Sequence, residues 1–163
     1  RAVKKLLQTE SGLAPEDIQV RLDHIEQSIP ESYIHSSSHR LSLYKALGTL
    51  PTKEELWEFR NGVEDRFGIL PESVLNIFRN AEVRLWGQLH GVEKIEHEQN
   101  RLRIQVKDTS RLNHEKLVGW LCEQETPLSY IPENTLDYKN VPPEMNAILK
   151  GLKNLEQVFT VYG

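Results

Sequence analysis

PTKEELWEFRNGVEDRFGILP, residues 51–71, holds a helix start, an apolar stripe, an acidic stripe and a stop in one short stretch. Thr52 followed three residues later by Glu55 makes a capping-box pair: the hydroxyl accepts from the amide at the third helical position, and the carboxylate reaches back to the cap's own amide. Leu56, Phe59, Val63 and Phe67 recur at helical spacing and define a buried face, and Gly68 supplies the left-handed residue that ends such a helix. The opposite face carries Glu54, Glu58 and Asp65, a column of carboxylates with no lysine between them. Asn61-Gly62 is a turn dipeptide, and a glycine inside a helix costs about 1 kcal/mol relative to alanine. Because the apolar stripe keeps its phase across the pair, one continuous helix is expected, with a break there as the alternative.

Upstream, Ser36 to Ser38 offer N-caps for a helix through Leu47, with Leu43, Tyr44 and Leu47 inside and Gly48 at its end. Downstream, Pro71 suits the first position of a third helix whose inner residues are Leu75, Phe78, Ala81, Leu85 and Leu89, leading to Gly91. These three helices form a compact bundle, with Leu56, Phe67, Phe78 and Leu85 in its core. The period then changes. Val92 to Glu98 and Arg101 to Lys107 alternate as two strands about Gln99-Asn100, and Leu128 to Ile131 and Leu136 to Tyr138 form a second hairpin. Between the hairpins Asn113 caps a helix over 114–124 carrying Leu117, Val118 and Leu121. After Pro142-Pro143 comes a last helix with Met145, Ile148, Leu149, Leu152 and Leu155 inside. Ile18 to Asp23 alternates as a sheet-edge strand, Ile29 to Ile34 is extended around Pro30, and Ala2 to Gln8 forms a short helix closed by Ser11-Gly12. The fold class is α+β: a three-helix bundle followed by a small, mainly antiparallel sheet with further helices.

The 163 residues suffice for one domain that buries roughly 68–70% of its unfolded surface. A formal net charge of −4 argues against a surface that binds nucleic acid chiefly by neutralising phosphates. Cys122 is the only cysteine, so no intrachain disulfide forms and a reducing compartment, the cytoplasm, is expected. No apolar run approaches the roughly 20 residues that span a bilayer, and the N-terminus has no signal pattern. The chain opens on Arg1 and has its only methionine at Met145, as expected of a piece of something longer. Residues 1–12 are assigned to the end of a preceding domain or linker, and 13–163 to the domain proper.

The residues nominate no catalytic, cofactor or metal site. Neither G-x-x-x-x-G-K-[ST] nor G-x-G-x-x-G occurs, and no serine lies in G-x-S-x-G, so Ser36 to Ser38 are a capping loop. Cys122, beside Leu121 on the predicted helix, is expected to be a small buried hydrophobe. His24, His35 and His39 lack a shared helical face, and His90 and His97 have no partner set. Trp57 and Trp86 fall beside the apolar stripes, where partial exposure is expected. The isolated chain is expected to fold as a monomer without metal or nucleotide.

Tyr33-Ile34, Arg40-Leu41-x-x-Tyr44-Lys45, Asp65-Arg66-Phe67-Gly68-x-Leu70-Pro71 and Leu89-x-Gly91 stand in an order and spacing that resemble the C-terminal (TRCF) domain of bacterial transcription-repair coupling factors. The likeness covers about the middle half of the chain, and after Lys107 it is one of layout only. Where the family pattern has glutamate three residues before the aspartate, this chain has Gly62. The resemblance implies a non-catalytic regulatory domain, residues 13–163, of an ATP-driven DNA translocase. That translocase displaces stalled RNA polymerase and recruits UvrA for nucleotide excision repair. The domain would dock on the parent's UvrB-like module, mask the UvrA-binding surface and hold the motor repressed. Glu54, Glu58 and Asp65 are then the candidate interface, facing a basic partner surface. The alternative is a nucleic-acid or RNA polymerase contact module using Arg40, Lys45, Arg79, Arg84, Arg101 and Arg103.

Overall fold

A computed structural model describes residues 18–160; the 2–8 helix, the 14–17 turn and the boundary after residue 12 lie outside them. The first strand is shorter than its alternation predicts: β1 is Gln19–Arg21. The stretch 29–34 is not extended throughout as expected: residues 31–33 form a turn in which the Tyr33 and Ile34 amides donate to the Pro30 carbonyl at 3.0 and 3.1 Å. The chain then enters α1 (Ser37–Leu47), α2 (Lys53–Phe67) and α3 (Glu72–Leu89). Each start is chemically marked. Ser36 Oγ accepts from the His39 amide at 3.3 Å, Thr52 Oγ1 from the Glu55 amide at 3.1 Å, and Pro71 is the cap of α3 rather than its first helical residue. α2 runs unbroken across Asn61-Gly62. Gly68 (φ 95°) and Gly91 (φ 66°) hold the left-handed conformations that end α2 and turn the chain out of α3. Gly48 ends α1 as expected, capping it from the right-handed helical region at φ −73°.

Ile29, Ile34, Leu43, Leu47, Leu56, Val63, Val74, Ile77, Phe78 and Ala81 form one core inside these three helices. Phe67 and Leu85 pack against it half-buried, so they are its rim rather than its centre. Three residues assigned inward by helical phase are exposed: Tyr44 (43%), Leu89 (66%) and, further on, Val118 (57%). Helical phase places them beside their stripes, and more than two-fifths of each stays open to solvent.

β2 (Val92–Glu98) and β3 (Arg101–Val106) form the first hairpin, with Gln99 and Asn100 both at positive φ as a tight two-residue turn requires. A 3₁₀ turn and α4 (His114–Leu121) follow, the latter capped by Asn113, whose Oδ1 accepts from the Lys116 amide at 3.1 Å. β4 (Leu128–Ile131) and β5 (Thr135–Lys139) form the second hairpin, and α5 (Met145–Leu155) ends the regular structure. Cys122 is the C-cap of α4 and is exposed, because that helix stops at Leu121 rather than at 124; it is not the buried hydrophobe expected.

The five strands lie in the order β1-β2-β3-β5-β4, with β1 parallel to β2 and every other pair antiparallel. Register sorts the two faces. Ile95, Ile104 and Leu136 lie side by side toward the helices, and Glu96, Arg103 and Asp137 lie side by side on the other face. Two glycines admit the helices closely: a Cβ on Gly87 of α3 would stand 3.2 Å from Ile95, and one on Gly151 of α5 3.1 Å from Leu102. α3 therefore belongs to two cores. Its first half (Val74, Ile77, Phe78, Ala81) packs with α1 and α2, while Val83 and Trp86 pack with the sheet and α5.

Candidate docking surface

The acidic column is presented by α2. With Thr52 capping the helix and Leu56 (1% exposed) and Val63 (6%) buried, the rotation of the helix is fixed. At about 100° per residue, Glu54, Glu58 and Asp65 fall within roughly 40° of one another on the far side. All three are exposed, and none takes part in an ion pair among the described residues. Arg60, a possible neutraliser one turn away, instead lies over the Trp57 ring, 5.4 Å from its centroid. Arg66 likewise covers Phe67 at 5.0 Å. The column therefore projects its charge into solvent, where a basic surface can meet it without breaking existing pairs.

The end of α2 is fastened. Tyr33 donates its hydroxyl hydrogen to the Gly68 carbonyl at 2.7 Å, and its ring lies 6.1 Å from that of Phe67. Burial, and then the nearby Glu64 carboxylate, push the Tyr33 phenol above its ordinary value, which keeps it a donor. Trp57 is 38% exposed and Trp86 half-buried, as their positions beside the stripes predict.

The basic residues proposed for a nucleic-acid face are not gathered. Arg40 donates to the Ile34 and His35 carbonyls at 2.8 and 2.9 Å, and Arg79 pairs with Glu72 at 2.7 Å. Arg101 pairs with buried Asp137 at 3.1 Å on the outer face of the sheet, where Arg103 stands 3.8 Å from the same carboxylate. Burial lowers the affinity of the Arg84 guanidinium for its proton. Arg40, Arg79, Arg101 and Arg103 are thus engaged within the protein, while Lys45 and Arg84 enter no ion pair among the described residues.

Among the described residues no group of three or more His, Cys, Asp or Glu side chains is placed to hold a metal ion. His39 serves the α1 cap through its amide. His24 meets a residue that its sequence neighbourhood gives no hint of: its Nε2 is 3.0 Å from Nδ1 of His97. His97 is hydrogen-bonded at both ring nitrogens. No described helix is long and apolar enough to cross a membrane.

A feature absent from the sequence reading is a cleft of about 1280 Å³ between the loop at Thr49–Lys53, the second half of α3 and one side of α5. Glu54, the first member of the acidic column, stands at its edge, and Trp86 crosses its wall to donate its indole N–H to Glu156 at 3.0 Å. Exposed Leu89, wrongly placed inside by phase alone, was the one signal of it in the sequence: an apolar residue at a helix end with no core to enter.

A family model described as the TRCF domain matches residues 24–117. A transcription-repair-coupling factor of Staphylococcus epidermidis is 31% identical over 116 residues, covering 70% of this chain and 10% of that protein. That of Escherichia coli is 28% identical over 108 residues, 66% of this chain and 9% of that protein, and that of Borreliella burgdorferi 23% over 147 residues, 86% and 13%. The chain thus spans about a tenth of the length of these curated relatives. A crystal structure of the C-terminal domain of a transcription-repair coupling factor superposes with a TM-score of 0.66 over 86% of this chain and 94% of that one. At 18% identity that likeness is one of fold.

Proposed function

The chain belongs to the TRCF domain family, and from that membership we propose that it is a docking and regulatory domain with no chemistry of its own. In this reading it is the C-terminal domain of a cytoplasmic ATP-driven DNA translocase that displaces stalled RNA polymerase. It docks on that protein's UvrB-like module, covers the surface that UvrA binds and holds the motor repressed. The observation that carries the reading is the column Glu54, Glu58 and Asp65: exposed, unpaired, and held in one orientation by the buried stripe behind it. Interfaces between domains of one protein are commonly modest and polar, and charge complementarity supplies their register.

The test is to reverse two of these charges, Glu58→Arg with Asp65→Arg, and to measure binding of the chain to the purified UvrB-like module. Exposed residues with no partners contribute little to folding, within about 0.5 kcal/mol, so the melting curve should be unchanged. Like charges facing each other cost on the order of several kcal/mol, so affinity should fall at least tenfold. In the longer protein the same substitutions should raise ATPase activity and UvrA binding. Equal affinities for the variant and the unaltered chain would remove this face from the interface.

A further inference from the structure

The cleft between α3 and α5 has a different chemistry from the acidic face of α2. Its floor is apolar: Leu50, Leu85 and Leu149 are half-buried there, and Leu89 offers 66% of its surface to solvent. A second hollow of about 280 Å³ adjoins it, sharing Glu82 and Leu149, and extends the trough to partly exposed Trp57. The main cleft alone exceeds the roughly 300–1,000 Å³ typical of small-molecule pockets, and an elongated apolar trough beside a helix suits a second helix.

Charge decides what kind of helix. Within the walls Lys53 is paired with Glu82 at 3.4 Å and Arg111 with Asp108 at 3.4 Å, while Glu156 accepts the Trp86 indole N–H. Lys107, Lys150 and Lys153 also line the cleft, are exposed, and enter no ion pair among the described residues. Lys150 and Lys153 are three apart on α5, so they stand one turn from each other along the same rim. Against these three cations the rim sets two carboxylates that enter no ion pair among the described residues, Glu54 and Glu156, the latter holding the neutral Trp86 indole N–H, so the uncompensated charge of the cleft is positive. We propose that this cleft docks an amphipathic protein helix whose apolar stripe fills the leucine floor and whose acidic flank meets Lys107, Lys150 and Lys153. A nucleic-acid strand fits less well. It would gain little from aliphatic side chains where stacking needs aromatic faces. The partner is also distinct from the one proposed for α2, which must be basic.

The experiment titrates the 163-residue chain into a fluorescent synthetic amphipathic helix of about four turns, with leucines at i, i+3, i+4 and i+7 and glutamates on its flanks. Parallel titrations use the same peptide with lysine for glutamate, and a single-stranded oligonucleotide. Saturable binding of the acidic peptide is expected, weakened on the order of tenfold or more by Leu89→Glu and by Lys150→Glu with Lys153→Glu. Glu58→Arg with Asp65→Arg should leave it unchanged, which separates this site from the α2 face. All the substituted side chains are exposed, and thermal melts establish that each variant is folded; the leucine and lysine variants test the cleft independently. Absent saturation, equal binding by the cleft variants, or equal binding of the lysine peptide would overturn the proposal. Tighter binding of the oligonucleotide would reassign the cleft to nucleic acid.

Discussion

His24 and His97 are 73 residues apart in sequence, yet their ring nitrogens meet at 3.0 Å. The other nitrogen of His97, Nε2, lies 2.6 Å from the Val141 carbonyl oxygen, which can only accept. Nε2 must therefore carry a hydrogen, so in neutral His97 the Nδ1 lone pair accepts from Nε2–H of His24. One buried imidazole thus ties the segment after β1 to β2 and to the loop before α5. Removing it leaves the Val141 carbonyl without its partner, so His97→Ala should cost about 1–3 kcal/mol from the hydrogen bond alone. His24 is exposed, and water can replace its donor; His24→Ala should cost less than about 1 kcal/mol. Urea midpoints of the two variants measured side by side check the order, which equal losses would reverse.

The helical core makes a second unequal pair. Phe78 is 3% exposed, touches the Phe59 ring at a centroid distance of 6.0 Å and belongs to the core shared by α1, α2 and α3. Phe78→Ala should cost roughly 3–5 kcal/mol, the usual range for emptying a large aromatic site. Phe67 packs at the rim between Tyr33, His39 and Arg66, half in water. Phe67→Ala should therefore fall below that range, at about 1–2 kcal/mol. A Phe67 variant as unstable as the Phe78 one would show that the rim is in truth closed.

Much of this was legible in the sequence, and what was legible was local. The α2 cap, its stripe and its glycine stop lie within one short stretch, and the Gln99-Asn100 hairpin lies between two alternating runs. The acidic column followed from spacing alone. What could not be read was set by distant partners. Spacing alone makes the stripe of α3 a single face, but two cores grip that helix, so Val74, Ile77 and Val83 are buried while Leu89 is left outside. Tyr44 and Val118 share the right phase yet stay 43% and 57% exposed. The parallel pairing of Val20 with Ile95, the meeting of His24 with His97 and the cleft beside α5 all arise from segments far apart in the chain.

His90, just past the end of α3, lies between the Trp86 and Phe159 rings, 4.5 and 4.8 Å between centroids. Burial pushes its proton affinity below the ordinary imidazole value, Glu156 partly opposes this, and Arg111 adds to it. The unfolded chain takes up a proton near pH 6.5, whereas the folded chain does so only below that. Between the two values the unfolded state binds more protons. Stability contributed by this site is therefore complete above about pH 6.5 and is lost as pH falls through the folded value. Melting temperatures recorded across that interval should decline more gently for His90→Gln than for the unaltered chain; parallel profiles would assign the acid sensitivity elsewhere.

Three helical glycines should answer to substitution with opposite signs, because only two of them are there for space. Gly62 sits mid-helix in α2, where a Cβ would meet nothing within 4 Å. Its cost is that of backbone freedom alone, so Gly62→Ala should stabilise by roughly 0.5–1 kcal/mol. Gly87 and Gly151 mark the close approaches of α3 and α5 to the sheet, where a Cβ would stand 3.2 Å from the Ile95 Cδ1 and 3.1 Å from the Leu102 Cδ2. Those atoms are side-chain ends, so alanine can be absorbed by a small rotation, and its helix propensity offsets part of the crowding. Valine adds two further carbons toward a closed sheet, and Gly87→Val or Gly151→Val should cost about 1–3 kcal/mol. Because Gly62 lies one turn from both Glu58 and Asp65 on the exposed face, the alanine variant also separates stability from docking. It should melt higher while binding the UvrB-like module with unchanged affinity, and a loss of binding would place the backbone at Gly62 inside the contact.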